Sequence, residues 1–147
     1  MAPSPLLVSS LALGAGLCLA SCQTVGEVVG EGMRASLTGM EEVPTRGDPD
    51  GRGMAEITTV DRTDNLCYEL SVSNIETATA AHIHRGARGV PGPPVVTLDA
   101  PADGESNGCL SIDSNLLDEI ERNPRGFYIN VHNARYPNGA VRGQLVR

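Results

Sequence analysis

From Met33 to the last residue, short runs of β-branched and aliphatic residues are broken by turn residues about every ten positions. That spacing predicts an all-β sandwich or barrel, because each run suits one strand and each break suits one tight connection. Strands are expected near Met33–Thr38, Gly53–Val60, Leu66–Ser73, Thr79–His84, Val95–Leu98, Gly108–Ile112, Gly126–His132 and Val141–Val146. Asp48-Pro49-Asp50-Gly51, Asp61 to Asn65, Gly86 to Pro94 and Tyr136-Pro137-Asn138-Gly139 supply the turns. Pro presets φ at such places, and Asn and Gly reach the left-handed backbone. Ser114 to Glu121 is the one helical candidate, with Ser114 as N-cap, an apolar stripe of Leu116, Leu117 and Ile120, and Pro124 as the stop. The expected architecture is therefore about eight antiparallel strands with one short helix.

The segment from Met1 to Cys22 carries no charged side chain, and its apolar stretch is short and rich in Gly, Ser and Ala. It reads as an export signal and not as a membrane span. Leu19-Ala20-Ser21-Cys22 resembles the lipobox of bacterial lipoproteins, which implies that residues 1–21 are removed and that Cys22 is acylated. Cys18 fits that box poorly, because bulky Leu17 precedes it where a small residue is required. Residues 22–32 are Gly-rich and read as a lipidated tether to a single domain over 33–147. The expected location is the bacterial cell envelope, on its periplasmic or cell-surface face.

Export removes the chain from a reducing cytosol, so the two remaining cysteines, Cys67 and Cys109, are expected to form a disulfide. Closing that loop would take roughly 4 kcal/mol of entropy out of the unfolded chain. A metal role for this pair is the lesser alternative, since it has no C-x-x-C spacing. Tryptophan is absent and Phe127 is the single phenylalanine, so Val, Ile, Leu and Ala must supply most of the core. The net charge of −7 lies wholly after the signal. It argues against nucleic acid and against attraction to anionic lipid, and leaves the acyl group to hold the membrane.

All three histidines fall in two of the expected strands. Side chains alternate along a strand, so His82 and His84 share one face while Ala81 and Ile83 share the other. In the second segment Phe127, Ile129 and Val131 share a face, and Tyr128, Asn130 and His132 share the opposite one. The imidazoles thus lie off the aliphatic core, with His82 and His84 side by side. A lone strand histidine is usually just a hydrogen-bonded residue, but three in this arrangement form a metal-ligand set. Copper is the first choice, because Cu(I) is satisfied by three imidazoles and Cu(II) adds water at an open position. Zinc is the second, with a carboxylate such as Asp99 or Asp103 as its fourth ligand.

Every basic residue is arginine. Arg88 and Arg135 are expected to be solvated or paired with carboxylates, whereas parity puts Arg142 on the histidine face, where it would attract a small anion. Pairing the last two strands as a hairpin suggests His132 opposite Arg142, Asn130 opposite Gln144 and Ile129 opposite Leu145, which keeps polar with polar.

Ser36 to Pro44, Cys67-Tyr68, Ala81-His82-Ile83-His84-Arg85-Gly86, Gly92-Pro93-Pro94-Val95-Val96, Cys109, Tyr128 to His132 and Tyr136 to Leu145 together resemble the CHRD domain, a module named for chordin and widespread in bacterial exported proteins. That resemblance implies an extracellular β-rich module more than a defined activity. A weaker similarity links the chain to copper-zinc superoxide dismutases. It implies a Greek-key β-barrel, copper on His82, His84 and His132, Arg142 beside the open copper position, and superoxide as the small anion. No histidine remains to bridge to zinc, so a copper-only centre is what this similarity implies. The alternatives are a noncatalytic extracellular binding or interaction module, and an envelope protein that buffers copper.

Overall fold

The structure, a computed structural model, describes residues 32–60 and 63–147. The expected signal (1–21), the acylated Cys22 and nearly all of the tether lie outside the described residues, as do Asp61 and Arg62. The fold is all-β with one helix. Its strands are β1 (Gly32–Thr38), β2 (Arg52–Val60), β3 (Asn65–Ser73), β4 (Ala78–Arg85), β5 (Pro94–Leu98), β6 (Glu105–Ser111), β7 (Phe127–Asn133) and β8 (Val141–Gln144), and α1 spans Ser114–Arg122.

These strands form one antiparallel sheet in the order β5-β4-β7-β8-β1-β2-β3-β6. The sheet curls until its two ends nearly meet. Tyr68 on β3 bridges the seam: its hydroxyl donates to Asp99 Oδ2 at 3.2 Å and accepts from Asp99 N–H at 3.0 Å, just beyond β5. Ser106 Oγ on β6 donates to the Asp99 carbonyl at 2.8 Å. A sheet closed in this way leaves little of its two edges open to another chain.

Period-two alternation fills the barrel. Met33, Ala35 and Leu37 of β1, Ala55 and Ile57 of β2, Leu66 and Leu70 of β3, Ala81 and Ile83 of β4, and Phe127, Ile129 and Val131 of β7 are all buried in one cluster. The helix lays Leu117 and Ile120 against that cluster. Its N-cap is Asp113 and not Ser114: the Asp113 carboxylate accepts from Asn115 N–H at 3.0 Å and from Leu116 N–H at 3.1 Å. Both residue types cap well, and Asp113 is the one with extended backbone, which leaves Ser114 as the first helical residue. Among the described residues no helix is long and apolar enough to cross a membrane.

Cys67 and Cys109 stand directly opposite each other on β3 and β6 and are joined by a disulfide. The β7–β8 register differs from the expected one by two residues: Asn130 faces Arg142, Tyr128 faces Gln144 and Ile129 faces Gly143. The connection is wider than the Tyr136–Gly139 turn alone. Asn133 Oδ1 accepts from Tyr136 N–H at 2.8 Å, Gly139 N–H donates to Tyr136 O at 3.1 Å, and the ladder closes only where Ala140 N–H donates to Val131 O at 2.7 Å. A shift of two preserves parity, so Arg142 keeps the face it was expected to occupy.

Candidate metal centre

β4 and β7 are neighbours, and their register sets His82 opposite Asn130, His84 opposite Tyr128 and Ala80 opposite His132. The outer face of these two strands therefore collects the three imidazoles. His82 Nδ1 lies 3.2 Å from His132 Nε2, and one ligand nitrogen from each of His82, His84 and His132 falls within 4.8 Å of the others. No other cluster of three or more metal-binding side chains occurs among the described residues. Asp99 and Asp103 do not join it: Asp99 is spent on the Tyr68 seam, and Asp103 is exposed in the turn before β6.

Two of the rings are fixed by backbone carbonyls. His84 Nδ1 donates to Gly92 O at 2.8 Å and His132 Nδ1 donates to Pro137 O at 3.0 Å. Each bond assigns the proton to Nδ1 and turns the Nε2 lone pair toward the cluster, the orienting role that outer groups play around metal-bound histidine. His84 Nε2 is buried and has no hydrogen-bond partner. An imidazole nitrogen held in that state loses the solvation it would have in water, and a metal ion restores a partner. His82 Nδ1 and His132 Nε2 thus face each other, and His84 Nε2 is left without a partner.

Burial holds all three imidazoles below their ordinary proton affinity. For His84 the Gly92 carbonyl pulls the other way and the charges of His82 and Arg142 add to the lowering; for His132 the Pro137 carbonyl opposes and the other two imidazoles add. The rings are neutral around pH 7, the form that binds metal.

The rest of this face is polar yet covered. Asn130, Tyr128, Arg142 and Gln144 are all buried, and the Gly86 to Pro94 connection lies over the last three. Arg142 Nη2 donates to the carbonyls of Ala87 and Val90, each at 3.0 Å, and its Cζ sits 3.4 Å from the centre of the Tyr128 ring. The same ring stacks on His84 with centroids 4.8 Å apart. Gln144 Nε2 donates to Gly86 O at 2.9 Å, and Gly92 N–H donates to Tyr128 Oη at 3.1 Å. Arg88 tethers the connection further by pairing with Glu41. Arg135 lies over the Tyr136 ring, so neither of these two arginines reaches the histidines.

Arg142 is the proposed anion-guiding residue, and the structure places it one strand from the imidazoles, close enough for its charge to act on His84. It is 1% exposed, and its Nη1 is buried without a partner. Sequence reasoning missed Glu42, which is 4% exposed and belongs to the same cluster through Arg142 and Asn130. Its place in the run Met40-Glu41-Glu42-Val43-Pro44 gives no periodicity by which burial is detectable. No curated protein and no solved structure matches the chain. The family model for the CHRD domain matches residues 33–145, and the chain belongs to the CHRD domain family.

Proposed function

We propose that this is an exported, lipid-anchored protein that binds one copper ion through His82, His84 and His132 and dismutates superoxide. The observation that carries the reading is the donor set: three neutral imidazoles with ligand nitrogens within 4.8 Å, two of them oriented by carbonyls, and a buried His84 Nε2 without a partner. Bound copper would supply a one-electron couple between Cu(II) and Cu(I). The chain supplies the rest. His84 and His132 keep their rings fixed through Gly92 and Pro137, so both oxidation states meet the same donors. Arg142 contributes positive charge on the histidine face of an otherwise acidic protein, with one guanidinium nitrogen uncommitted. Acylation at Cys22 would keep the domain at an envelope membrane, and the Cys67–Cys109 disulfide suits an oxidising compartment.

Untagged mature protein, exchanged against copper and zinc in competition, is expected to retain one copper per chain and to consume superoxide when loaded. A chain that retains no copper refutes the metal reading. Membrane fractionation tests the anchor: Cys22→Ala should move the domain to the soluble fraction, and unchanged attachment refutes acylation there.

A specific observation favours a second reading, copper buffering without turnover. Arg142 is almost fully buried and pinned to two carbonyls, so it is not displayed to solvent as a surface guide for anions. Copper retention with no superoxide consumption would select this reading.

A further inference from the structure

We propose that Glu42 is the internal acid of this site, giving a proton to superoxide as it is reduced to peroxide; this rests on the dismutase reading above. Glu42 directly follows the Gly39–Glu41 turn and is 4% exposed. Its carboxyl lies flat against the backbone of Gly139: a Cβ there would fall 2.3 Å from Cδ and from Oε1. A Cβ on Gly47 would fall 2.9 Å from its Cγ. Two glycines thus leave room for a side chain that most buried positions reject. The Gly139 φ of +140° also makes any other residue there strained.

Three observations link this carboxyl to the metal ligands. Arg142 and the Asn130 side chain act on Glu42, and the same two residues act on His84. Glu42 Oε1, Asn130 Oδ1 and Arg142 Nη1 are buried polar atoms without partners, as is His84 Nε2. Asn130 stands directly across the ladder from His82. The charged or titratable groups that act on it are Arg142 on β8, whose guanidinium also feels Tyr128, Glu41 and Arg88, and, through Asn130, His84. Burial outweighs the pull of Arg142 and pushes the Glu42 carboxyl up to about 7, so it holds a proton in the range where a general acid is most useful.

Reduction of superoxide to hydrogen peroxide takes one electron and two protons. Bound copper in its reduced form would supply the electron, while one proton comes from Glu42 and the other from solvent. The carboxylate left behind is balanced by Arg142 and recovers its proton from water. Oxidation of superoxide to oxygen gives up one electron and takes no proton, so Glu42 serves only one half of the cycle.

The test compares full-length wild type with Glu42→Gln, which keeps the shape without the acidic proton, and Glu42→Asp, which keeps the acid. Copper content is measured first, and each half-reaction is then timed by pulse radiolysis starting from Cu(II) or from Cu(I). All three proteins should hold one copper per chain and oxidise superoxide equally fast. Peroxide formation should slow about a hundredfold in Glu42→Gln and lose its dependence on pH near 7, while Glu42→Asp falls in between. An infrared band of a protonated carboxylic acid should be present in the wild type and missing from Glu42→Gln. Equal slowing of both half-reactions, no slowing of either, or loss of copper from both variants overturns the role of Glu42 alone. Copper-loaded wild type that consumes no superoxide overturns the dismutase reading and the role together.

Discussion

Arg142 faces Asn130 across the β7–β8 ladder, two residues short of His132. The guanidinium therefore reaches the site past Asn130 and Tyr128, under the Gly86 to Pro94 connection, and does double service as a charge and as the strut of that connection. Arg142→Ala should leave copper stoichiometry unchanged, because the side chain is not a ligand. It should cost about 3 kcal/mol of stability, since two charge-assisted bonds to Ala87 O and Val90 O disappear from a buried place. Denaturant titration measures the cost, and amide exchange should quicken from Gly86 to Gly92. Unchanged exchange there would mean that the strut is unnecessary.

The face of every imidazole was legible in the sequence, because a two-residue period cannot hide which side chains oppose Phe127, Ile129 and Val131. What lies over that face was not. A loop such as Gly86 to Pro94 has no period, so nothing local marks Tyr128 or Arg142 as buried. The hairpin register failed for a related reason: the Asn133 side chain closes its own turn with Tyr136 and widens the connection by a contact that pairing rules do not weigh. Asp113 and Ser114 are equally good caps by type, and only the backbone path separates them.

Metal loading should move a proton within His82. In the metal-free protein His132 spends its proton on Pro137 O, so the 3.2 Å contact requires His82 Nδ1 to donate to His132 Nε2. A metal on those two atoms forces the His82 proton to Nε2. Nitrogen NMR of labelled protein should show His82 changing tautomer on loading while His84 and His132 keep theirs. Calorimetry in buffers of different ionisation enthalpy should find almost no proton release above pH 7.

Acid and base should act on stability through different residues. Burial holds the three imidazoles below 6.5. As pH falls through the ordinary histidine range, the unfolded chain takes up protons first and the metal-free native state loses stability. Glu42 has the opposite sign: its native carboxyl, raised from 4.5 to about 7, binds a proton across that window when the unfolded chain does not. Stability falls as pH rises through the window, by roughly 3 kcal/mol for this group. Urea denaturation of wild type and Glu42→Gln should show the wild-type value declining relative to the variant by that amount between about pH 4 and pH 8. A constant difference would contradict it.

Reduction of the Cys67–Cys109 bridge should cost about 4 kcal/mol, because its sequence separation of 42 residues closes a long loop in the unfolded chain. Denaturation with and without dithiothreitol measures it. Cys67→Ser with Cys109→Ser should match the reduced protein and should still bind copper, since the bridge joins β3 to β6 and the histidines stand on β4 and β7.

The acceptors that aim His84 and His132 are main-chain carbonyls, and every amino acid carries one. The aim of these rings is therefore written in the path of the backbone and not in the identity of a second side chain, which makes it robust to sequence drift at most surrounding positions. Gly92 is the sharpest exception: a Cβ there would lie 1.6 Å from the Arg85 carbonyl oxygen. A chain of this kind is free to exchange the other side chains of its covering loop while keeping its imidazoles in register, provided that Gly92 stays bare, that Gly86 does too, where a Cβ would lie 2.8 Å from the Val90 carbonyl oxygen, and that Gly89 keeps its φ of +76°.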